Sequence, residues 1–151
     1  MAPTQTESVE AIGELLDHIG FRSARDSDGT RIWELPVAPH VVNTSGGLQG
    51  GLIATLADIA AGTLALDLRP PNGGVVTSDL SVRYFRAITG GTARALSKIV
   101  HAGKRSIVVQ VEVIGMPGRE LAALAMVSFA TVEFATNGTD VPRNAAPGGR
   151  S

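Results

Sequence analysis

One acidic residue stands alone in an apolar segment near the middle of the chain. From Leu52 to Leu66 the segment is apolar except for Asp58 and two threonines. We expect a helix without a polar face to be buried on all sides, and a buried carboxylate is costly unless it is paired. Asp58 is therefore the first candidate for chemistry, as a general base or as a nucleophile. The alternative is a structural acid held by neighbouring hydroxyl groups.

A glycine-rich loop leads directly into this segment. Four positions lack side chains where the helix is expected to begin: Gly46, Gly47, Gly50 and Gly51. The first N–H groups of a helix have no internal partner and carry the positive end of its dipole. A carbonyl oxygen or an anion can therefore bind there, which makes the Gly50 N–H a candidate oxyanion donor. Asn43 would add a side-chain donor, although an asparagine that caps the loop explains this residue nearly as well.

Several stretches, taken in order, resemble the hotdog-fold acyl-CoA thioesterases of the phenylacetate-pathway (PaaI-like) type. The resemblance covers about residues 30–135. Its pattern consists of Asn43, Gly50-Gly51, Leu56-Ala57-Asp58, Val76 to Arg86 and, more loosely, Gly103-Lys104-Arg105. The chain departs from the family at one position, because members usually carry His-Gly-Gly where this sequence has Gln49-Gly50-Gly51. Glutamine can donate a hydrogen bond but cannot titrate, so an acid–base role at this position is lost.

The resemblance implies thioester hydrolysis at a site that two copies of the chain share. Asn43 and Gly50 of one copy would bind the thioester carbonyl, and Asp58 of the other would activate water or attack directly. Helix geometry supports a site shared by two copies, since Gly50 and Asp58 are eight residues apart and thus roughly 12 Å apart along one helix. Reacting atoms must approach to about 3–3.5 Å. Thr77 lies where relatives place a hydroxyl near the water, although an ordinary strand threonine explains it slightly better.

The substrate implied by the resemblance is an acyl-CoA. Six residues are candidates for binding it: Gln49, Gly51, Arg83, Arg86, Lys104 and Arg105. The last four would lie near the phosphates of the nucleotide, and a solvated basic rim is the alternative for each of them. An acyl-carrier protein would meet similar basic residues through its acidic surface. We expect no separate cofactor and no metal, because coenzyme A is part of the substrate.

Two other classes of function remain open. The first is a non-catalytic acyl-CoA-binding or regulatory module on the same fold, which Gln49 in place of histidine favours and the lone Asp58 opposes. The second is an acyl-thioester dehydratase or hydratase, which usually pairs a histidine with an acid. The sequence does not define the acyl group, so small-to-medium and aromatic acyl groups are both compatible with it.

Composition excludes several classes of protein. The chain has 151 residues, a net charge of −1 and no cysteine. The charge argues against nucleic-acid binding, and the absence of cysteine excludes disulfides and thiolate chemistry. The N-terminal residues have no apolar stretch typical of a secretory signal, and residues 52–66 are too few to span a membrane. We therefore expect a cytoplasmic protein that associates as a homodimer or homotetramer.

Hydrophobic spacing predicts the elements that position these residues. A helix is expected over residues 8–19, with Ser8 as its N-cap and Gly20 as its end. Residues 21–37 are typical of a β-hairpin, because Asp28-Gly29 is a strong signal for a two-residue turn. Further alternating segments follow the central helix.

These elements predict an α+β domain in which an antiparallel sheet curls around one central helix. The hotdog fold implied by the resemblance has the same arrangement. We expect this single domain to span residues 1–136. Residues 137–151 lack periodicity and are rich in Gly, Pro, Asn and Ala, so a disordered tail is expected there.

Overall fold

A computed structural model describes residues 1–134, which form two α-helices and one six-stranded antiparallel sheet. Along the chain the elements are α1 (Gln5–Ile19), β1 (Arg22–Arg25), β2 (Arg31–Pro36), α2 (Gly50–Leu66), β3 (Gly73–Tyr84), β4 (Thr92–Ala102), β5 (Ser106–Met116) and β6 (Glu120–Glu133). A short 3-10 helix, Pro39–Val41, lies between β2 and α2. The tail predicted for residues 137–151 lies outside the described residues.

The sheet has the strand order β1-β2-β4-β5-β6-β3, so β1 and β3 are its two edges. Alternate residues of β5, from Ile107 to Val113, are fully buried because strand side chains alternate between the two faces of a sheet. They belong to one core with the buried side of α2. A curled antiparallel sheet against one long helix is the hotdog fold, which confirms the predicted fold class.

Within one chain, α2 is buried on only one side. Its buried residues are Ile53, Leu56, Ala57, Ala60, Ala61 and Ala65. The other side, which includes Asp58, Ile59 and Gly62, is only partly buried. The expectation of burial on all sides is therefore wrong for the single chain, since its sheet covers one side of the helix. In the part of the chain described, no helix is long and apolar enough to cross a membrane.

The first helix, α1, begins three residues earlier than its apolar spacing predicts. Thr4 is the N-cap, and Thr4 and Glu7 form a capping box, in which the side chain of each residue accepts a hydrogen bond from the backbone N–H of the other. This pair satisfies two free N–H groups at once, so it defines the helix start instead of Ser8. Gly20 ends the helix as predicted, with a φ of +113° that favours glycine. No residue of α1 is buried.

The predicted hairpin forms, but its turn is longer than two residues. β1 and β2 pair antiparallel, and the carboxylate of Asp26 accepts hydrogen bonds from the N–H groups of Asp28 and Thr30, each at 2.9 Å. The aspartate organises a loop from Asp26 to Thr30 in the manner of an Asx turn. The sequence signal at Asp28-Gly29 therefore locates the turn without giving its length.

A buried carboxylate links this hairpin to the neighbouring strand β4 through ion pairs. Glu34 of β2 is only 6% exposed and lies between Arg22 of β1 and Arg94 of β4, which are its direct neighbours in the two ladders. Arg22 reaches one carboxylate oxygen at 3.1 Å and Arg94 reaches the other at 2.7 Å. Two cations thus compensate one buried anion, and each carboxylate oxygen is bonded.

Candidate active site

The structure brings together Asp58 of α2 and Thr77 of β3. The hydroxyl of Thr77 donates to Oδ1 of Asp58 at 2.8 Å. Among the residues described, Asp58 makes side-chain hydrogen bonds through Oδ1 only, which leaves Oδ2 available to a reactant. Asp58 is half-buried within one chain, and its hydroxyl partner is the contact that a structural acid would also make. The structure therefore brings these two candidate residues into contact, and the catalytic role of each stays a prediction.

A β-bulge lies directly beside Thr77. Thr77 pairs with Phe129, whereas Asp79 pairs with Ser128, so Ser78 is the extra residue of the bulge. A bulge changes which face of the sheet the following side chains occupy. Here Thr77, before the bulge, lies on the side of the sheet that faces α2. After the extra residue Ser78, the later residues of β3 alternate regularly again.

The N-terminus of α2 carries two backbone donors without partners. Gln49 is the N-cap, and its Oε1 accepts from the Leu52 N–H at 3.0 Å. The Leu52 and Ile53 N–H groups also reach the Gln49 carbonyl oxygen. Over residues 1–134, the N–H groups of Gly50 and Gly51 donate to no protein atom, as expected for the first turn of a helix. This end of α2 can therefore bind a carbonyl oxygen or an oxyanion.

The two glycines of this turn are there for different reasons. A Cβ on Gly51 would lie 2.9 Å from Oε1 of Gln49, so a side chain would displace the glutamine from its capping position. The three atoms nearest to a Cβ on Gly50 would all belong to the Tyr84 side chain, each at 3.6 Å, which is an ordinary contact. Gly51 thus preserves the cap, and Gly50 keeps the approach to the free N–H groups open. Gln49, predicted to bind substrate, uses Oε1 for the cap, and its amide NH₂ makes no hydrogen bond among the residues described.

Asn43 organises the loop that precedes α2. Its side-chain oxygen accepts from the Ser45 N–H at 2.9 Å and the Gly47 N–H at 3.2 Å, and its own N–H donates to the Gly47 carbonyl. The loop-capping interpretation is thus correct for the oxygen of Asn43. Its Nδ2 group donates no hydrogen bond within the described part of the chain, so it is available to a substrate carbonyl or a water.

Tyr84 is a contact of the site that the sequence did not identify. Its hydroxyl donates to the Gly50 carbonyl at 2.6 Å. The signal available in the sequence is the alternation of Leu80, Val82 and Tyr84, which places all three on the same face of β3. That face is the one towards α2.

The oxyanion donors and the carboxylate lie at separate places on one helix. Gly50 and Asp58 are both in α2, which is continuous from Gly50 to Leu66. Eight residues of α-helix correspond to roughly 12 Å. The structure therefore does not bring Gly50 and Asp58 together within a single chain.

The four basic candidates do not form one cluster. Arg83 pairs with Leu124 on β6, and strand alternation directs it to the face of the sheet away from Tyr84 and α2. Lys104 and Arg105 lie in the exposed turn before Ser106, which pairs with Ala130 of β6. Leu124 and Ala130 are six residues apart, or roughly 20 Å along a strand. One chain therefore cannot present all four to the same phosphates.

Arg86 is already paired within the chain. Its Nη1 lies 2.7 Å from Oε2 of Glu120, and both side chains are more than half exposed. The hydrogen bond with Glu120 and the negative charge of that carboxylate raise the pKa of Arg86 above its ordinary value. A phosphate would have to share or displace this carboxylate in order to use Arg86.

Known proteins match this chain over most of its length. The family model described as "Thioesterase superfamily" matches residues 46–122, half of the chain. The proofreading thioesterase EntH of Cronobacter turicensis is 28% identical over 110 residues, which cover 72% of this chain and 80% of that protein.

Solved structures are also similar to this chain over most of its length. The BH2602 protein of Bacillus halodurans, crystallised with CoA, is 30% identical, with a TM-score of 0.74 over 85% of this chain and 89% of that one. The thioesterase HI1161 of Haemophilus influenzae has a TM-score of 0.75 over 91% of this chain and 96% of its own. Since it is only 15% identical, its likeness concerns the fold alone.

Proposed function

This chain belongs to the thioesterase superfamily and is a thioester hydrolase, and we propose that it hydrolyses an acyl-CoA to a free acid and coenzyme A at a site shared by two copies. The observation that carries the proposal is the pairing of Asp58 with Thr77 of β3. Asp58 lies on α2, the same helix whose first turn offers two free N–H groups. The Asp58 carboxylate suits the attack on the acyl carbon, and the free N–H groups suit the negative charge that then forms on the carbonyl oxygen. The CoA in the structure of the BH2602 protein supports coenzyme A as the thiol.

Two features of the single chain support a second copy. The side of α2 that contains Asp58 is only partly covered by its own sheet. Beside it, β3 is an edge strand of 12 residues, with Val76 50% and Leu80 39% exposed. A long edge strand with apolar side chains is a template for pairing with another chain. A homodimer formed about a two-fold axis along this edge would cover both, and two such dimers would give a homotetramer.

Two antiparallel copies of α2 would also complete the site. Asp58 of one copy would then face the Gly50 N–H of the other, which removes the roughly 12 Å separation within one helix. The Gly50 N–H and the Nδ2 group of Asn43 polarise the thioester carbonyl. Each dimer would contain two equivalent sites, because the interface is the same from either side.

Asp58 performs the proton or acyl transfer. As a general base, Oδ2 takes a proton from water while the water oxygen attacks the carbonyl carbon, and the C–S bond then breaks with the proton passing to the departing thiolate. As a nucleophile, the carboxylate attacks the carbonyl carbon and expels the thiolate, and water then cleaves the resulting anhydride. In both routes Thr77 holds Oδ1 and so orients the carboxylate.

The acyl group, the PaaI-like type, the thiol carrier and the location are proposals that go beyond membership of the family. Small-to-medium and aromatic acyl groups are the expected substrates, and the PaaI-like type, the choice of coenzyme A over an acyl-carrier protein and the cytoplasmic location stay predictions. Gln49, Gly51, Arg83, Arg86, Lys104 and Arg105 are the proposed substrate-binding residues. Because the basic residues are far apart in one chain, any common phosphate site would draw on both copies.

Release of free thiol from a panel of aryl, short, medium and long acyl-CoAs tests the proposal. We expect hydrolysis of at least one class, with turnover that depends on Asp58. A non-catalytic module would bind acyl-CoA and release no thiol. A hydratase would change the absorbance of an enoyl-CoA without releasing thiol, so either result would count against the proposed reaction.

A further inference from the structure

We propose that Tyr84 is a positioning residue that fixes and polarises the peptide group between Gly50 and Gly51, so that the Gly51 N–H acts as a second oxyanion donor. The inference rests on the proposed function. The phenol of Tyr84 donates to the Gly50 carbonyl oxygen at 2.6 Å, across 34 residues of sequence. Three atoms of the same side chain lie 3.6 Å from the place a Gly50 Cβ would occupy. The side chain therefore restrains the first turn of α2 through two kinds of contact.

Packing of the core does not explain this placement. Tyr84 is the last residue of β3 and is 52% exposed, so little of its ring contributes to the hydrophobic interior. The carbonyl it contacts belongs to an α-helix and can accept a regular helical hydrogen bond without help. What the phenol adds is a second bond that sets the plane of one particular peptide group.

That peptide group contains the Gly51 N–H. In an amide, a hydrogen bond accepted by the oxygen draws electron density from the nitrogen and strengthens the N–H as a donor, which is the cooperativity seen in hydrogen-bond chains. The Gly51 N–H has no partner among the residues described, and Gly51 itself is exposed. Tyr84 thus acts on an oxyanion through Gly51, while Gly50 donates directly.

The expected effect on rate follows from two general magnitudes. Loss of one oxyanion donor costs roughly 10²–10³-fold in kcat, and cooperativity changes the strength of a hydrogen bond by about 10–30%. Removing the phenol should therefore lower kcat roughly 2- to 8-fold through polarisation. KM should change little, because the ground-state carbonyl carries less charge than the transition-state oxygen.

The first test is Tyr84→Phe, measured by thiol release on the best substrate of the wild-type panel. We expect the lower kcat with a nearly unchanged KM in a protein that remains folded. Ser81→Ala is the matched control, since Ser81 lies on the same strand but on its other face, and it should leave both constants unchanged. An unchanged kcat for Tyr84→Phe beside an active wild type would overturn the inference and leave the proposed function intact. An inactive wild type would overturn both.

The second test uses the fact that Tyr84 is the only tyrosine of the chain. Biosynthetic replacement of tyrosine by 3-fluorotyrosine therefore changes position 84 alone, and fluorine makes the phenol a stronger donor. At neutral pH, kcat should exceed that of the wild type, whereas a structural ring contact predicts an unchanged kcat. The fluorine resonance should shift when coenzyme A product is added. A fluorinated enzyme as slow as Tyr84→Phe would contradict the proposal.

Discussion

The hydroxyl of Thr77 lies 2.8 Å from Oδ1 of Asp58 and joins the edge strand β3 to the central helix α2. The contact orients the carboxylate by one oxygen and leaves the other free. It also places the candidate base at the edge of the sheet, beside the surface where a second copy is proposed to pair.

Asp58→Asn should lower turnover by at least about 10²-fold, the low end of general-base catalysis. The amide can still accept from Thr77, so the melting temperature should hold or rise because a partly buried charge has been removed. Thiol release and thermal unfolding are measured together, with Asp79→Asn on β3 as the control. A destabilised Asp58→Asn protein with normal turnover per folded molecule would make Asp58 a structural acid.

Thr77→Val removes the hydroxyl and keeps the shape of the side chain. A hydrogen bond to a charged group contributes roughly 1.5–3 kcal/mol to stability, and because this pair is only partly buried we expect the unfolding free energy to fall by the low end of that range. We also expect kcat per folded molecule to fall, because Asp58 loses the contact that orients its carboxylate. A double-mutant cycle with Asp58→Asn should be strongly non-additive, because residues that act as a unit do not contribute independently. Additive effects would mean that Thr77 acts on something other than the carboxylate.

Gly50→Val places a branched side chain beside the free N–H groups at the start of α2. We expect turnover to fall roughly 10²–10³-fold, the usual effect of losing an oxyanion donor. Gly50→Ala is the matched control, since the atoms nearest to its Cβ lie at an ordinary contact distance of 3.6 Å on Tyr84, and it should lose less turnover than Gly50→Val. A folded Gly50→Val enzyme with unchanged kcat would show that the carbonyl binds elsewhere.

Mixing two inactive variants tests the shared site directly. In a heterodimer of Asp58→Asn with Gly50→Val, one site combines the intact Gly50 of the first copy with the intact Asp58 of the second. After unfolding and refolding an equal mixture, random pairing should restore about a quarter of wild-type activity. Light scattering should show no monomer at micromolar concentration. An active monomer, or a mixture without recovery, would refute sharing.

Glu34→Gln should destabilise the protein without changing its chemistry. The neutral amide leaves Arg22 and Arg94 without the anion that both contact. Breaking a buried ion pair costs about 3–5 kcal/mol, and because Arg22 is 57% exposed we expect the low end of this range. Denaturant unfolding gives the free energy, and kcat per folded molecule should be unchanged. A neutral result would mean that the cluster contributes nothing net to stability.

The sequence predicts the fold, which is confirmed, because the fold depends on strong local patterns; the same patterns single out Asp58, whose catalytic role stays a prediction. The apolar run around Asp58 and the alternation through β3 are visible without coordinates, and the spacing of Asp58 and Thr77 matched a family pattern. The hydrogen bond from Tyr84 to Gly50 depends on strand register across a bulge at Ser78, which no local pattern reports. The cap that Gln49 forms is local, but glutamine is not among the preferred N-cap residues, so the sequence did not indicate it.

Burial was harder to predict than secondary structure. Apolar spacing shows which side chains avoid water, but it does not show what covers them. The side of α2 around Asp58 was expected to be buried by the domain itself, and the sheet of one chain reaches only the opposite side. Similarly, the apolar residues of α1 located a helix but not its first residue, because the capping box of Thr4 and Glu7 is a polar signal.

The first helix, α1, should unfold locally while the rest of the protein stays folded. α1 is fixed at both ends by its own caps, yet none of its residues is buried, and only Leu16 and Ile19 near its end pack against the core. A helix of 15 residues is marginally stable by itself in water, so its opening free energy is set locally and not by the sheet. The amides of its first three turns should therefore exchange with solvent deuterium long before those of β5. Proteases should likewise trim the chain there while the remainder stays folded.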